Sequence, residues 1–232
     1  MKNTQLFTLV LAMCSPVWVK AQDVNLLVQK VKAKLDKVTD YEASGKMKTN
    51  VTFLKVPIAN IKMFYKKPNN MKIKNEKGFS FIPKGAVNIN MGNSLSNGKY
   101  SILDAGTDKV NGTTVRVVKL LPEDDNADVV LSTLYIDEAN LVIKKAKTTT
   151  RENGSYQLEM IYGKYTAYGL PDKIIFTFNT KDYKLPKGVT FDFDDGTSAK
   201  KTTPGNLKKN QGMAEITFDA YIVNKGVPDT VF

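Results

Sequence analysis

After one amphipathic stretch the chain switches to a period of two and keeps it almost to its end. From Tyr41, the residues Tyr41, Ala43, Gly45, Met47, Thr49, Val51 and Phe53 share one side, and Glu42, Ser44, Lys46, Lys48, Asn50 and Thr52 share the other. Successive side chains of a strand point to opposite faces, so this pattern predicts a long strand with one buried face. The next stretch, Ala59 to Phe81, predicts a hairpin turning at Lys66-Lys67-Pro68-Asn69-Asn70. Pro68 lacks a backbone donor and cannot sit in a central ladder, and Asn tolerates turn geometry. Ala59, Ile61, Met63 and Tyr65 share a face on the first arm; Met71 and Ile73, then Phe79 and Phe81, share one on the second.

Turn signals then recur at short intervals. Ile82-Pro83-Lys84-Gly85 leads to a short strand at Ala86 to Met91, and Gly92 to Gly98 reads as a loop. Asn111-Gly112 between Tyr100–Val110 and Thr113–Leu121 is a strong hairpin signal. Val129–Ile136 and Leu141–Thr150 pair across Asp137-Glu138-Ala139-Asn140. Ser155–Thr166, Lys173–Asn179, Val189–Phe193 and Met213–Val223 follow as strands, the last with Ile216, Phe218, Ala220 and Ile222 on one face. Residues 194–212 are polar and aperiodic, a pattern that predicts a flexible loop.

The one helical pattern comes before all of this. Val24, Leu27, Val28, Val31, Leu35 and Val38 form a single apolar stripe over 24–38, with Asp23 as N-cap. One helix followed by about ten hairpin-linked strands predicts a mainly β fold. The predicted form is a single strongly curved antiparallel sheet with the helix against it. One helix is too small to cover the concave face of such a sheet. The sheet either closes on its own side chains or leaves a cavity.

Residues 1–21 read as an export signal: Lys2, the apolar run Leu6 to Met13, and Val19-Lys20-Ala21 with cleavage before Gln22. A lipid-modified Cys14 is the alternative, ranked lower because Met13 is bulky for that processing. The apolar run is shorter than the ~20 residues of a spanning helix. Residues 22–232 then form one domain, placed in the periplasm. Without Lys2 and Lys20 the formal charge falls from +11 to +9. The lysines are spread singly along the strands, which suits a solvated sheet surface, with attraction to anionic lipid headgroups as the sharper reading. Nucleic acid is not an expected partner, since no recognition motif is present.

There is no histidine, and Cys14 is the only cysteine. The usual Ser-His-Asp and Cys-His catalysis therefore has no components, and a typical zinc site lacks ligands. No cofactor is expected. The carboxylate clusters Asp192-Phe193-Asp194-Asp195 and Glu123-Asp124-Asp125 read as turns, because neither has calcium-loop spacing. What remains is the apolar strand faces. Residues placed to line a cavity are Met47, Val51, Phe53, Met63, Tyr65, Met71, Ile73, Phe79, Phe81, Met160, Tyr162, Phe176 and Phe178. Thioether side chains repack around irregular apolar ligands, but aromatic and methionine faces also make ordinary cores. From the residues alone, both readings stay open.

The order of pieces resembles the outer-membrane lipoprotein carrier family, LolA- and LolB-like. The resemblance rests on an exported start and a helix ending Leu35-Asp36-Lys37-Val38. It continues with the strand Phe64-Tyr65 running into Lys66-Lys67-Pro68-Asn69, and with Asn111-Gly112 before a strand ending Leu121-Pro122. Leu134-Tyr135-Ile136-Asp137 ahead of Leu141-Val142-Ile143 completes it. It implies an unclosed half-barrel covered by helix, a cavity for acyl chains of lipoproteins or lipids, and transfer between inner- and outer-membrane sorting proteins. The family uses an arginine early in the barrel; here no arginine precedes Arg116. The expected protein is thus a monomeric, non-enzymatic periplasmic carrier with an apolar cavity of roughly 300–1,000 Å³. The alternative is a non-catalytic envelope module with a filled core that binds a protein through a sheet edge or its lysine-rich face.

Overall fold

The computed structural model describes residues 23–51, 54–55, 58–68, 70–75, 99–152, 154–179 and 211–232. The export segment, Phe53, Phe79, Phe81, the strands expected at Ala86–Met91 and Val189–Phe193, and most of the 194–212 loop lie outside them.

Helix α1 spans Val24–Leu35, with Asp23 Oδ1 accepting the Asn25 backbone N–H at 2.8 Å. It buries Leu27, Val28 and Val31, so the predicted stripe is the packed one. The helix stops three residues before the expected Val38. Lys37 and Val38 donate to the carbonyls three residues back, Lys34 and Leu35, which tightens the last turn. Lys67 Nζ reaches the Asp36 carbonyl at 2.6 Å and its carboxylate at 3.1 Å, so the basic turn of the first hairpin caps the helix C-terminus. Partial burial works against ionisation of Asp36, but hydrogen bonds from Lys32 and Lys67 hold its carboxyl below the usual range.

The strands are β1 Asp40–Val51, β2 Leu54–Lys55, β3 Ala59–Lys66, β4 Asn70–Asn75, β5 Tyr100–Val110, β6 Thr113–Pro122, β7 Val129–Asp137, β8 Val142–Thr150, β9 Ser155–Ile161, β10 Lys173–Asn179 and β11 Gln211–Val223. They form one antiparallel sheet in the order β4-β3-β1-β11-β10-β9-β8-β7-β6-β5, with β2 folded back on β1. Among the described strands, the run from β5 to β11 is a meander, each pairing with the next. Its last strand pairs with β1, which brings the first and last long strands together inside the sheet. The edges are β4 and β5, and among the described residues they do not pair. Among the described residues the sheet is a half-barrel left open between β4 and β5.

The turns follow from residue type. Asn111 and Gly112 both take positive φ (48° and 79°), the geometry a two-residue hairpin needs to match the strand twist. Asp137 accepts from the Asn140 backbone N–H at 3.1 Å and from its side chain at 2.8 Å, closing the next turn; Leu141 at φ 50° starts β8 one residue later than the pattern suggested.

Two expectations are corrected. The long strand to Thr166 ends at Ile161. Beyond it the chain turns through a 3₁₀ segment, Thr166–Tyr168, ended by Gly169 at φ 69°. Asp172 draws this turn in: its backbone N–H donates to Ile161 O at 2.8 Å, and its carboxylate accepts the Lys164 N–H at 3.3 Å. In β11, Ile216 and Phe218 face the core, but Ile222 is 54% exposed. The register slips between Ser44↔Ala220 and Gly45↔Phe218, so Asp219 bulges out and Tyr221 takes the inward place instead.

Candidate ligand-binding face

Cross-strand register puts the apolar residues of successive strands side by side. One transverse row runs Thr49, Ala214, Phe176, Leu158, Ala146, Leu134, Val118 from β1 to β6. A second runs Ala59, Met47, Ile216, Ile174, Met160. A third joins Ile73, Met63, Ala43 and Tyr221. Together they make one continuous apolar face, and the buried side of α1 belongs to the same cluster.

Of the sequence-predicted lining residues, Met47, Met63, Tyr65, Met160, Phe176 and Phe178 lie in this cluster, and half-buried Met71, Ile73 and Tyr162 pack against it. Val51 ends β1 on the strand that carries Met47. Residues the pattern missed are as central: Leu134 is fully buried, and Leu158 is as deep as Phe176. Their alternation was present in the sequence, but small partners such as Ala146 and Ala214 gave no cue to which rows would meet.

The helix end of the face is aromatic. Tyr41 packs on Tyr65 and edge-on to Tyr221, which in turn meets Tyr165 and Phe218 with ring centroids 4.9 Å away. Tyr221 donates its hydroxyl to the Pro171 carbonyl at 2.7 Å and Tyr162 to Ile143 O at 2.9 Å, whereas Tyr41 reaches the Met63 thioether at 3.4 Å. Burial pushes the phenols of Tyr41, Tyr162 and Tyr221 well above the ordinary tyrosine range, with neighbouring Tyr65 adding to the effect at Tyr41 and neighbouring Tyr41 at Tyr221. A hollow of about 40 Å³ lies here, bounded by Leu35, Tyr41, Met160, Tyr162, Ile174 and Tyr221.

A larger hollow of about 590 Å³ has a different character. Its described lining joins Thr133, Lys147, Gln157 and Thr177, which register places on the opposite, convex face, to Thr148, Tyr156 and Phe178 of the apolar face. It matches the expected cavity in size, and Phe178 is the one expected lining residue on its described wall.

At the β5 side the apolar row ends in charge. Arg116 on β6 shares a face with Val118 and pairs with Asp104 of β5, whose Oδ1 also accepts the Gly106 N–H at 2.9 Å. Arg116 Nε is buried without a partner among the described residues. This pair was not singled out from the sequence. Glu123-Asp124-Asp125 is a turn, with Asp124 accepting the Asn126 N–H and Arg151 holding the Asp125 carbonyl. Among the described residues no group of three or more acidic side chains is placed to hold a metal ion, and no helix is long and apolar enough to cross a membrane.

Neither a protein-family model nor a curated relative matches the chain by sequence. Solved structures do match it by shape. One, described as an outer membrane lipoprotein-sorting protein domain from Vibrio parahaemolyticus, is 12% identical with a TM-score of 0.53, covering 88% of this chain and 94% of that one. A LolA superfamily protein from Nitrosomonas europaea is 11% identical with a TM-score of 0.56, covering 88% and 96%. A DUF1329 family protein from Desulfovibrio piger is 11% identical with a TM-score of 0.51, covering 90% and 96%. The half-barrel of this chain, open between β4 and β5 with α1 against its apolar face, is the LolA-like fold.

Proposed function

We propose that this chain is an exported, non-enzymatic carrier of the envelope that shields acyl chains of lipoproteins or lipids against the apolar face of its half-barrel. The observation that carries the reading is that face itself: a continuous apolar surface from β4 to β6 with one described helix against it. Met47, Met63, Met71 and Met160 lie along it, and their unbranched thioethers adapt to chains of varied shape at small energetic cost. The LolA-like fold agrees, since one structural neighbour is named for lipoprotein sorting. Residues 1–21 serve as the export signal, and 22–232 as the single carrier domain. The partners are acyl chains and the membrane proteins that deliver and receive them.

A second reading has its own support. The middle of the face closes on itself: Met47, Met63, Leu134, Leu158 and Phe176 are almost wholly buried, and the hollow beneath α1 is about 40 Å³. A filled core of this kind suits a protein-binding envelope module. Native mass spectrometry after gentle purification separates the two. The carrier is expected to retain acyl species that extract into organic solvent and to bind a fluorescent fatty acid. A protein that is free of lipid and does not bind the fatty acid overturns the carrier reading and leaves the module.

A further inference from the structure

Of the 34 basic residues, only Arg116 and Arg151 are arginines; the rest are lysines. On β1 the outward positions include Lys46 and Lys48, both exposed. On β3 the outward Lys62 lies directly opposite Lys74 of β4 in the register. These four lysines sit on three adjacent strands; of the carboxylates beside them, Glu42 pairs with Lys62 at 3.3 Å, and Glu215 of β11, directly opposite Lys48, pairs with Lys173 at 3.1 Å. Lys74 rests over the Phe64 ring at 5.3 Å. Lys46 and Lys48 make no ion pair among the described residues. Lys66 and Lys72, farther along the same strands, are already engaged, by Asp229 and by the Phe232 carbonyl.

Like charges placed directly opposite on neighbouring strands destabilise a sheet. A Lys62–Lys74 rung therefore breaks a local rule, and such breaks gather where function demands them. Edge protection accounts for lysines on the edge strand β4, but not for Lys46 and Lys48, because β1 is paired on both sides. The choice of lysine over arginine also narrows the partner. Lysine is a mobile point charge on a flexible stem, whereas arginine's planar fork suits fixed carboxylates and phosphates in a protein pocket. Alternate residues on a strand are about 6.6 Å apart and neighbouring strands about 4.8 Å apart, so the four lysines form one close cluster on the outer face. A laterally mobile field of single negative charges, which can rearrange to meet each flexible ammonium group, is what such a cluster complements.

We propose that this convex patch, Lys46, Lys48, Lys62 and Lys74, docks the protein on the surface of an anionic phospholipid bilayer. The patch is on the opposite side of the sheet from the apolar face, so the docking stands or falls independently of acyl binding. The test is co-sedimentation of the purified protein with phosphatidylcholine vesicles, with and without phosphatidylglycerol, at low and high salt. Binding is expected only to the anionic vesicles, and it should be lost in high salt. Lys46→Gln/Lys48→Gln should weaken it about 25-fold, at about fivefold per lysine. Lys145→Gln/Lys147→Gln on β8, which removes the same charge elsewhere on the convex side, should change it far less. Equal losses in the two variants would overturn the proposal, because net charge alone would then explain the binding. So would binding to soluble polyglutamate with none to anionic vesicles, which would make the patch a protein-docking surface. Circular dichroism melting of both variants checks that the fold is intact.

Discussion

At the scale of single residues, two buried tyrosines on the same face separate hydrogen bonding from packing. The Tyr41 hydroxyl meets a thioether, a weak acceptor, while that of Tyr221 meets the Pro171 carbonyl. Tyr41→Phe should change stability at neutral pH by less than about 1 kcal/mol, whereas Tyr221→Phe leaves a buried carbonyl unpaired and should cost about 1–3 kcal/mol. Both phenols have folded-state pKa values raised by burial above the ordinary 10. The unfolded chain therefore releases these protons first. The stability they support is complete below pH 10 and is lost as pH rises above it, at up to about 1.4 kcal/mol per pH unit for each phenol. Urea unfolding at pH 8 and at points above pH 10 should show this loss in the parent and a shallower one in Tyr41→Phe. A parallel alkaline slope in the variant would mean that Tyr41 ionises freely in the native state. Gly45 has a different role. A Cβ there would run into the Thr217 carbonyl oxygen of β11, at the point where the register slips. Gly45→Ala should lower stability by about 1–3 kcal/mol through overpacking, readable as a lower denaturation midpoint with an unchanged slope.

At the scale of elements, α1 is held mainly by what it buries. Leu27 is 1% exposed and Val31 is fully buried, so Leu27→Ala should cost about 2–5 kcal/mol. Asp23→Ala, at an exposed cap, should cost about 1 kcal/mol; thermal melts of the two variants should preserve that order. The stripe behind this prediction was legible in the sequence, as were the Asn111-Gly112 hairpin and the inward face of β1, because each is set by local periodicity or by turn chemistry. Three things were not legible. The end of β9 depends on Asp172 reaching back to Lys164, a tertiary contact. The exposure of Ile222 depends on a bulge at Asp219 that strict alternation hides. The Arg116–Asp104 pair depends on which residues of β5 and β6 fall opposite one another, and pairing register is not written in either strand alone. The lining residues that could be read were large and soft. Those that escaped lay in rows completed by Ala146 and Ala214, whose inward direction only the assembled sheet reveals.

At the scale of the whole molecule, the order of strands matters more than any one of them. Because β11 closes on β1, the strands on either side of that pairing are buried between neighbours, and exposure rises toward the two edges. Phe176 and Met63 occupy the floor of the face, while Met71 and Ile73 lie on the edge strand β4 and remain half-buried. Floor and rim should therefore respond differently to substitution. Phe176→Ala removes a fully packed ring and should cost about 3–5 kcal/mol whether or not the protein binds acyl chains. Met71→Gln with Ile73→Gln removes apolar surface that is only half-buried in the free protein, so the loss of stability should be smaller than for Phe176→Ala. In a carrier these two side chains are positioned to touch a chain lying across the open side of the sheet. The double variant should then lower fatty-acid affinity about tenfold or more, at about 25 cal/mol for each Å² of apolar surface that the ligand no longer covers. Saturating ligand should also raise the melting point of the parent, since a ligand at 100 times its Kd adds about 2.7 kcal/mol, and it should do so much less in the double variant. Thermal melts with and without fatty acid measure both effects in one experiment. If ligand shifts the parent and the rim variant equally, Met71 and Ile73 do not touch it, and binding, if any, lies deeper toward the aromatic end under α1.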